Sequence, residues 1–413
     1  MTAYYDALET RDAAARDAAL VAALPAQVAR AKTQAPAFAT ILADVDPAAV
    51  TGRTALARLP LTRKSQLIEL QEMRPPFGGL TAVRAGALAH LYLSPGPIAD
   101  PEGAGADWWR LARALHAGGF RKGDIVHNCF SYHFTPAGLM FDAGARALGC
   151  AVFPGGTGNS EDQARAMARF RADAYVGTPD FLKTILDKEA ELKLDLSSCR
   201  KAVVSGGALF PALRAEYAGR GVRVLQCYGT ADLGLVAYES EAMEGMICDE
   251  GVIVEIVRPG TGDPAPDGEV GEVVVTTLNP DYPLIRFATG DLSAILPGPS
   301  PCGRTAPRIK GWMGRADQTT KVRGMFVHPE QVARVAARHP EILKARLVVV
   351  SGEAGRDAMT LRCAVDGPGS EALAAAIAAT LQSECKLRGA VVFTTPYGLP
   401  NDGKVIEDAR TYE

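Results

Sequence analysis

The chain has 413 residues, too many for one small core and suited to two or three domains. Its 47% hydrophobic and 22% charged content is that of a globular protein, and a net charge of −3, from 44 basic and 47 acidic residues, gives no global pull towards nucleic acid. No apolar run is long enough to span a bilayer, and the charged start MTAYYDALETRDAAARDAA is not a secretory signal, so no membrane partner and a cytoplasmic location are expected.

Residues 1–45 are Ala-rich with helical spacing of Ala, Leu and Val, and predict two or three amphipathic helices. Leu59-Pro60-Leu61-Thr62-Arg63-Lys64-Ser65 is a turn and a helix start. A strand-like run, 88–94, stops at Pro95-Gly96-Pro97 and opens into a loop through Gly103. Strands and helices then alternate: helix 106–118, strand 123–129, helix 135–148, strand 150–153, helix 160–171, strand 174–177, helix 180–191, strand 201–205, helix 211–219 and strand 222–226. That rhythm predicts an α/β fold with a mainly parallel, helix-covered sheet, whose ligands sit at the carboxyl ends of the strands. From about 245 the helices drop out, which predicts an antiparallel β subdomain up to 316. Residues 317–413 read as a small α+β C-terminal domain, with helices at 329–338 and 370–385 and strands at 345–350, 359–365 and 390–394.

The eight cysteines are scattered, with no CxxC pair and no zinc-type Cys/His spacing, and read as free thiols. Candidate chemistry lies at the strand ends. Ser205-Gly206-Gly207-Ala208 would let a flat ligand approach the backbone, although a plain strand-to-helix turn explains it as well. Tyr228-Gly229-Thr230-Ala231-Asp232 offers an aromatic face, a hydroxyl and a carboxylate, enough for a base, a phosphate and Mg2+, or for an ordinary turn. Asp291, in Thr289-Gly290-Asp291, can accept two hydroxyl hydrogen bonds, and Arg315 and Arg323 are cationic donors; each alone reads equally as a solvated charge. Lys404 rides on Leu399-Pro400-Asn401-Asp402-Gly403, a mobile cation or a surface lysine.

Taken in order, these motifs resemble the adenylate-forming superfamily, and most of all the phenylacetate–CoA ligase family. LPLTRKSQL near 60, FGGL at 77–80, Gly118 to Asp124, PLIRFATGDL at 283–292 and RGMFVHPEQV at 323–332 extend the resemblance over almost the whole chain. It implies an ATP-dependent aryl- or acyl-CoA ligase that forms acyl-AMP and pyrophosphate and then acyl-CoA, using ATP, CoA and Mg2+. It implies that Ser94, Gly96, Ser205, Gly206, Gly207, Tyr228, Gly229 and Thr230 border the nucleotide, with Asp291 and Arg315 on the ribose. Asp232 would hold Mg2+. Tyr132, Phe134, Phe141 and Ala208 would line the acyl pocket, with core packing an equal reading for the aromatics. Asp317 would be the hinge between domains 1–316 and 317–413, Arg323 and Gly324 would border CoA, and Lys404 would meet the acyl carboxylate and α-phosphate. A homodimer is left open.

The segment matching the family's phosphate loop departs from its pattern. Ser94 to Gly103 holds three prolines, which remove three N–H donors; it lacks the threonine pair and the lysine, and it adds Asp100 and Glu102. Asp232 replaces the usual glutamate. A second reading therefore stands beside the ligase: an ATP-independent acyl transferase, or a protein that binds ready-made acyl-CoA or acyl-adenylate.

Overall fold

The structure, a computed structural model, describes residues 3–94, 97–207, 209–316, 318, 320–322, 325–351, 357–400, 402 and 404–410. The chain divides into two units. One comprises Met1–Val254, Val275–Phe287 and Leu296–Trp312; the other comprises Glu255–Val274, Ala288–Ile295 and Met313–Glu413. The sequence placed a single boundary at 316/317. The observed division also groups 255–274 and 288–295 with the C-terminal residues, because the strands Val252–Val257, Gly271–Thr277 and Phe287–Ser293 each contain a unit boundary.

The first unit is built on a mixed sheet. Its parallel half runs, in spatial order, Ala151–Pro154, Ile125–Asn128, Ala174–Gly177, Lys201–Val204 and Arg223–Thr230. Gly234–Tyr238, Met246–Cys248 and Arg308–Ile309 continue it antiparallel. Successive side chains on a strand face opposite ways, so both faces need cover. Val203 packs in one core with Leu115, Phe120, Phe130 and Phe141, whereas Ala202 and Val204 pack in the other with Met167, Leu182, Ile185 and Tyr217. Each fully buried aliphatic or aromatic side chain contributes about 1.5–3 kcal/mol.

Most predicted elements are present within a few residues. The helix expected at 106–118 is shorter, Leu111–Ala117, because Asp107 accepts hydrogen bonds from the Leu111 and Ala112 amides at 2.9 and 3.0 Å and starts the helix there. The loop expected after Ser94 is instead a strand, Ile98–Glu102. It pairs antiparallel with His90–Ser94, so that Tyr92 faces Asp100 and His90 faces Glu102.

An N-terminal helix, Ala13–Gln34, starts at Asp12, whose side chain accepts from the Ala15 amide at 2.9 Å. Buried charges tie this region to distant chain: Arg16 to Glu250 at 2.9 Å and Glu9 to Arg304 at 3.1 Å. Among the described residues, no helix is long and apolar enough to cross a membrane. All eight cysteines are free.

The second unit contains a four-stranded sheet in the order Ala390–Thr394, Asp357–Val365, Ile342–Ser351, Ile406–Asp408. The helices Pro329–Ala337 and Glu371–Cys385 contribute Val332, Val335, Ile377 and Leu381 to a core with Leu347, Val349 and Leu361. Ile406–Asp408, which the sequence pattern did not reveal, pairs parallel with Leu347–Val349 and begins two residues after Lys404.

Candidate active site

In the first unit, a cavity of about 180 Å³ opens at the carboxyl ends of the parallel strands. Ser94, Ser205, Gly206, Gly229, Thr230 and Phe141 line it, six of the residues expected there. Each arrives for a local reason. Gly206 has φ +72°, a backbone state that side chains resist, and it turns the chain out of Lys201–Val204. Ser205 Oγ donates to the Cys227 carbonyl at 2.9 Å and ties the end of Lys201–Val204 to the neighbouring strand Arg223–Thr230. Gly229 lies at a register shift between Arg223–Thr230 and Gly234–Tyr238; a Cβ there would sit 2.6 Å from the Gly234 carbonyl oxygen. Thr230 Oγ1 accepts from the Leu233 amide at 3.1 Å and closes the turn that carries Asp232.

Apart from Phe141, the apolar side of the cavity is drawn from residues the sequence reading did not single out. Phe130 stacks on Phe141 with ring centroids 4.5 Å apart, and Leu111, Ala137 and Met140 complete the apolar wall. Ala137, Met140 and Phe141 recur at helical spacing, and Phe130 follows a strand end, so both signals were present in the chain. The structure does not bring Phe134 into the cavity: it is 75% exposed, at a left-handed backbone position. Tyr132 lies outside the lining, and its hydroxyl accepts from Asn128 Nδ2 at 2.8 Å. Tyr228 is buried and Gly207 lies against Pro179; neither lines the cavity. Gly96, Ala208, Asp317, Arg323 and Gly324 lie outside the described residues.

Behind Ser94 the hairpin changes the meaning of the two acids expected to repel phosphate. Glu102 is buried and accepts from the Tyr92 hydroxyl, while His90 Nδ1 lies 2.9 Å from the same carboxylate. Asp100 is buried and accepts from Ser94 Oγ. Burial, with the Asp232 charge beside it, pushes Asp100 up to about 7. Asp232 has a side chain 0% exposed, and its Oδ2 is 2.6 Å from the Lys64 ammonium. Its Oδ1 and that of Asp100 have no hydrogen-bond partner. The cation at Asp232 is therefore a lysine. Among the described residues, no group of three or more His, Cys, Asp or Glu side chains is arranged to hold a metal.

Asp291, Arg315 and Lys404 belong to the second unit. Asp291 is buried and accepts from Arg315 Nη1 at 3.0 Å, whereas the Arg315 side chain is 53% exposed. The segments carrying them pair as a bridge, with the Leu292 amide donating to the Gly314 carbonyl at 2.9 Å and the Ala316 amide to the Gly290 carbonyl at 2.7 Å. Gly290, at φ +76°, leaves room for the guanidinium: a Cβ would lie 2.9 Å from Arg315 Nη2. Lys404 is exposed and borders a second cavity of about 160 Å³, with Arg258, Glu269, Lys344 and apolar Val270, Val332 and Val405.

Comparison with known proteins matches this organisation. Residues 107–279 fit the family model of the AMP-binding enzymes. The chain is 32% identical to a phenylacetate-coenzyme A ligase of Thermus thermophilus over 79% of its own length and 76% of the relative's. It is 30% identical to the Aromatoleum evansii enzyme of the same name over 75% and 72%. A solved 2-hydroxyisobutyryl-CoA ligase, in complex with 2-HIB-AMP and CoA in the thioesterification state, superposes with a TM-score of 0.72 at 25% identity, covering 99% of this chain and 93% of that one. With relatives at this identity over most of its length, and with its motif residues gathered at the strand ends, this chain belongs to the adenylate-forming enzymes of the phenylacetate–CoA ligase family.

Proposed function

We propose that the protein is an ATP-dependent acid–thiol ligase that activates a small carboxylic acid as its acyl-adenylate and passes the acyl group to CoA. The observation that carries this reading is the strand-end cavity, where Ser205-Gly206 and Gly229-Thr230 meet an apolar wall in one space. The solved relative with an acyl-AMP and CoA bound supports both co-substrates.

In the first half-reaction a carboxylate oxygen of the acid forms a bond to the α-phosphorus of ATP, the α–β bridging P–O bond breaks, and pyrophosphate leaves. Lys404 would place its ammonium against the charge that grows at the α-phosphate and the attacking carboxylate. Asp291 would accept hydrogen bonds from the ribose hydroxyls, and Arg315 would donate to the ribose. In the second half-reaction the CoA sulfur attacks the acyl carbonyl and AMP departs. Asp317 as hinge, and Arg323 and Gly324 beside CoA, remain the assignments implied by the family. Mg2+ enters this reading as counter-ion to the ATP phosphates, held through them rather than by a protein cage.

For the acid, the cavity favours a compact tail without charge. Among the described residues no charged side chain lines it, and the Phe130–Phe141 stack offers an aromatic face. An arylacetate or benzoate fits that chemistry. The test is pyrophosphate release with ATP, Mg2+ and a panel of aryl and short-chain acids, with and without CoA. Acid-dependent release that falls about 10²–10³-fold in Lys404→Ala is the expected result. No release across the panel, together with tight binding of ready-made acyl-CoA, would overturn it in favour of an acyl-CoA binder or transferase.

A further inference from the structure

We infer that Arg346 is the positioning residue of Lys404: its buried guanidinium binds Pro400, Asp402, Lys404 and Glu407 so that the lysine is delivered for adenylation. The inference rests on the ligase reading above. Arg346 projects from the strand Ile342–Ser351, and its side chain is only 4% exposed, in a unit whose other cations mostly face solvent.

All three of its nitrogens donate to one stretch of chain. Nη2 donates to the Pro400 carbonyl at 3.2 Å and pairs with the Asp402 carboxylate. Nε donates to the carbonyl of Lys404 itself at 3.1 Å, and Nη1 pairs with Glu407 at 3.1 Å. The fork thus grips the chain before, at and after the lysine. Asp402 passes the restraint on, because the Oδ1 that meets the guanidinium also accepts from the Lys404 amide at 3.1 Å. Lys344, two residues earlier on the same strand, adds a contact to the Pro400 carbonyl at 3.0 Å.

The lysine's own side chain takes no part in this grip and is exposed. The backbone is fixed while the ammonium stays available, which is what a residue needs if it must meet a transition state without first ordering its loop. A guanidinium suits the task better than an ammonium because its planar, five-donor fork can meet two carbonyls and two carboxylates at once. An Arg346→Lys variant keeps the charge and loses the fork.

The test separates the two half-reactions. Adenylation is read as acid-dependent pyrophosphate exchange, and thioester formation as acyl-CoA made from preformed acyl-adenylate, with melting temperature recorded for every variant. Arg346→Ala is expected to lose about 10²-fold in adenylation rate, the scale of a small misplacement of a catalytic group, with little change in KM for ATP. Thioester formation should stay near the unsubstituted rate. Arg346→Lys should fall between, and guanidinium ion at millimolar concentration should restore part of the Arg346→Ala rate but none of the Lys404→Ala rate. Equal loss of both half-reactions with a lowered melting temperature would mean a purely structural arginine and overturns the assignment. If Lys404→Ala loses adenylation and Arg346→Ala does not, the Arg346 assignment alone falls. If Lys404→Ala keeps it, the ligase role of the lysine falls and takes the assignment with it.

Discussion

Asp100 shows how far one buried carboxyl can set a pH response. It holds its proton up to about 7 in the folded chain, whereas an unfolded aspartate releases it near about 4. The folded state therefore binds the extra proton between those limits, and the associated stability is complete below about pH 4 and is lost as pH rises through about 7. Asp100→Asn should flatten that decline and leave the protein more stable than the parent at pH 8. Denaturant midpoints at pH 5 and pH 8 check it, and an unchanged slope would refute it. Phe130 belongs to the same scale. Truncation to alanine removes half of an aromatic stack at the cavity and should cost about 3–5 kcal/mol, with a raised KM for any aryl acid. Sequence reading reached Asp100 and Asp232 by motif position but set the first in a loop instead of a strand and did not reveal the lysine beside the second. Lys64 and Asp232 are 168 residues apart, and no local pattern reports a pair that only the fold assembles.

At the scale of elements, alternation was legible where it was apolar. Lys201–Val204 and Ala174–Gly177 are buried runs between turn formers, and each emerged as a strand. Ile98–Glu102 did not, because IADPE has neither an apolar period nor a β-branched run beyond its first residue. It is a strand because Tyr92 and Ser94 on the neighbouring strand give its acids partners. Gly234–Tyr238 was missed for a different reason: it is buried at every position, so it shows no alternation at all. Its first residue is also its weakest point. Gly234 has φ +70°, and a Cβ would lie 2.7 Å from the Trp109 carbonyl oxygen. Gly234→Ala should cost roughly 1–3 kcal/mol or more in backbone strain and displacement of the Thr230–Leu233 turn. A melting-temperature drop accompanied by weakened AMP binding would show both effects; a neutral substitution would contradict the packing.

For the molecule as a whole, the N-terminal region is held by charge as much as by apolar contact. Arg11 and Arg16 converge on Glu250 at 2.8 and 2.9 Å, and Arg304, 1% exposed, reaches Glu9 at 3.1 Å. Removing one partner strands a buried cation, so Glu250→Ala should destabilise by about 3–5 kcal/mol, whereas replacement of the whole cluster by apolar residues need not. Chemical denaturation of the single and combined variants tests that asymmetry. The helical character of residues 1–45 was readable from composition, but its anchor was not, since Glu9 and Arg304 are 295 positions apart. The same separation sets an order of events during synthesis. A ribosome releases residues 9–34 long before Glu250 and Arg304 exist, so this region must wait for its ion-pair partners. Until then its apolar face and its unpaired arginines are open to chaperones and proteases, and the nascent chain is at its most vulnerable while most of its sheet is still unmade.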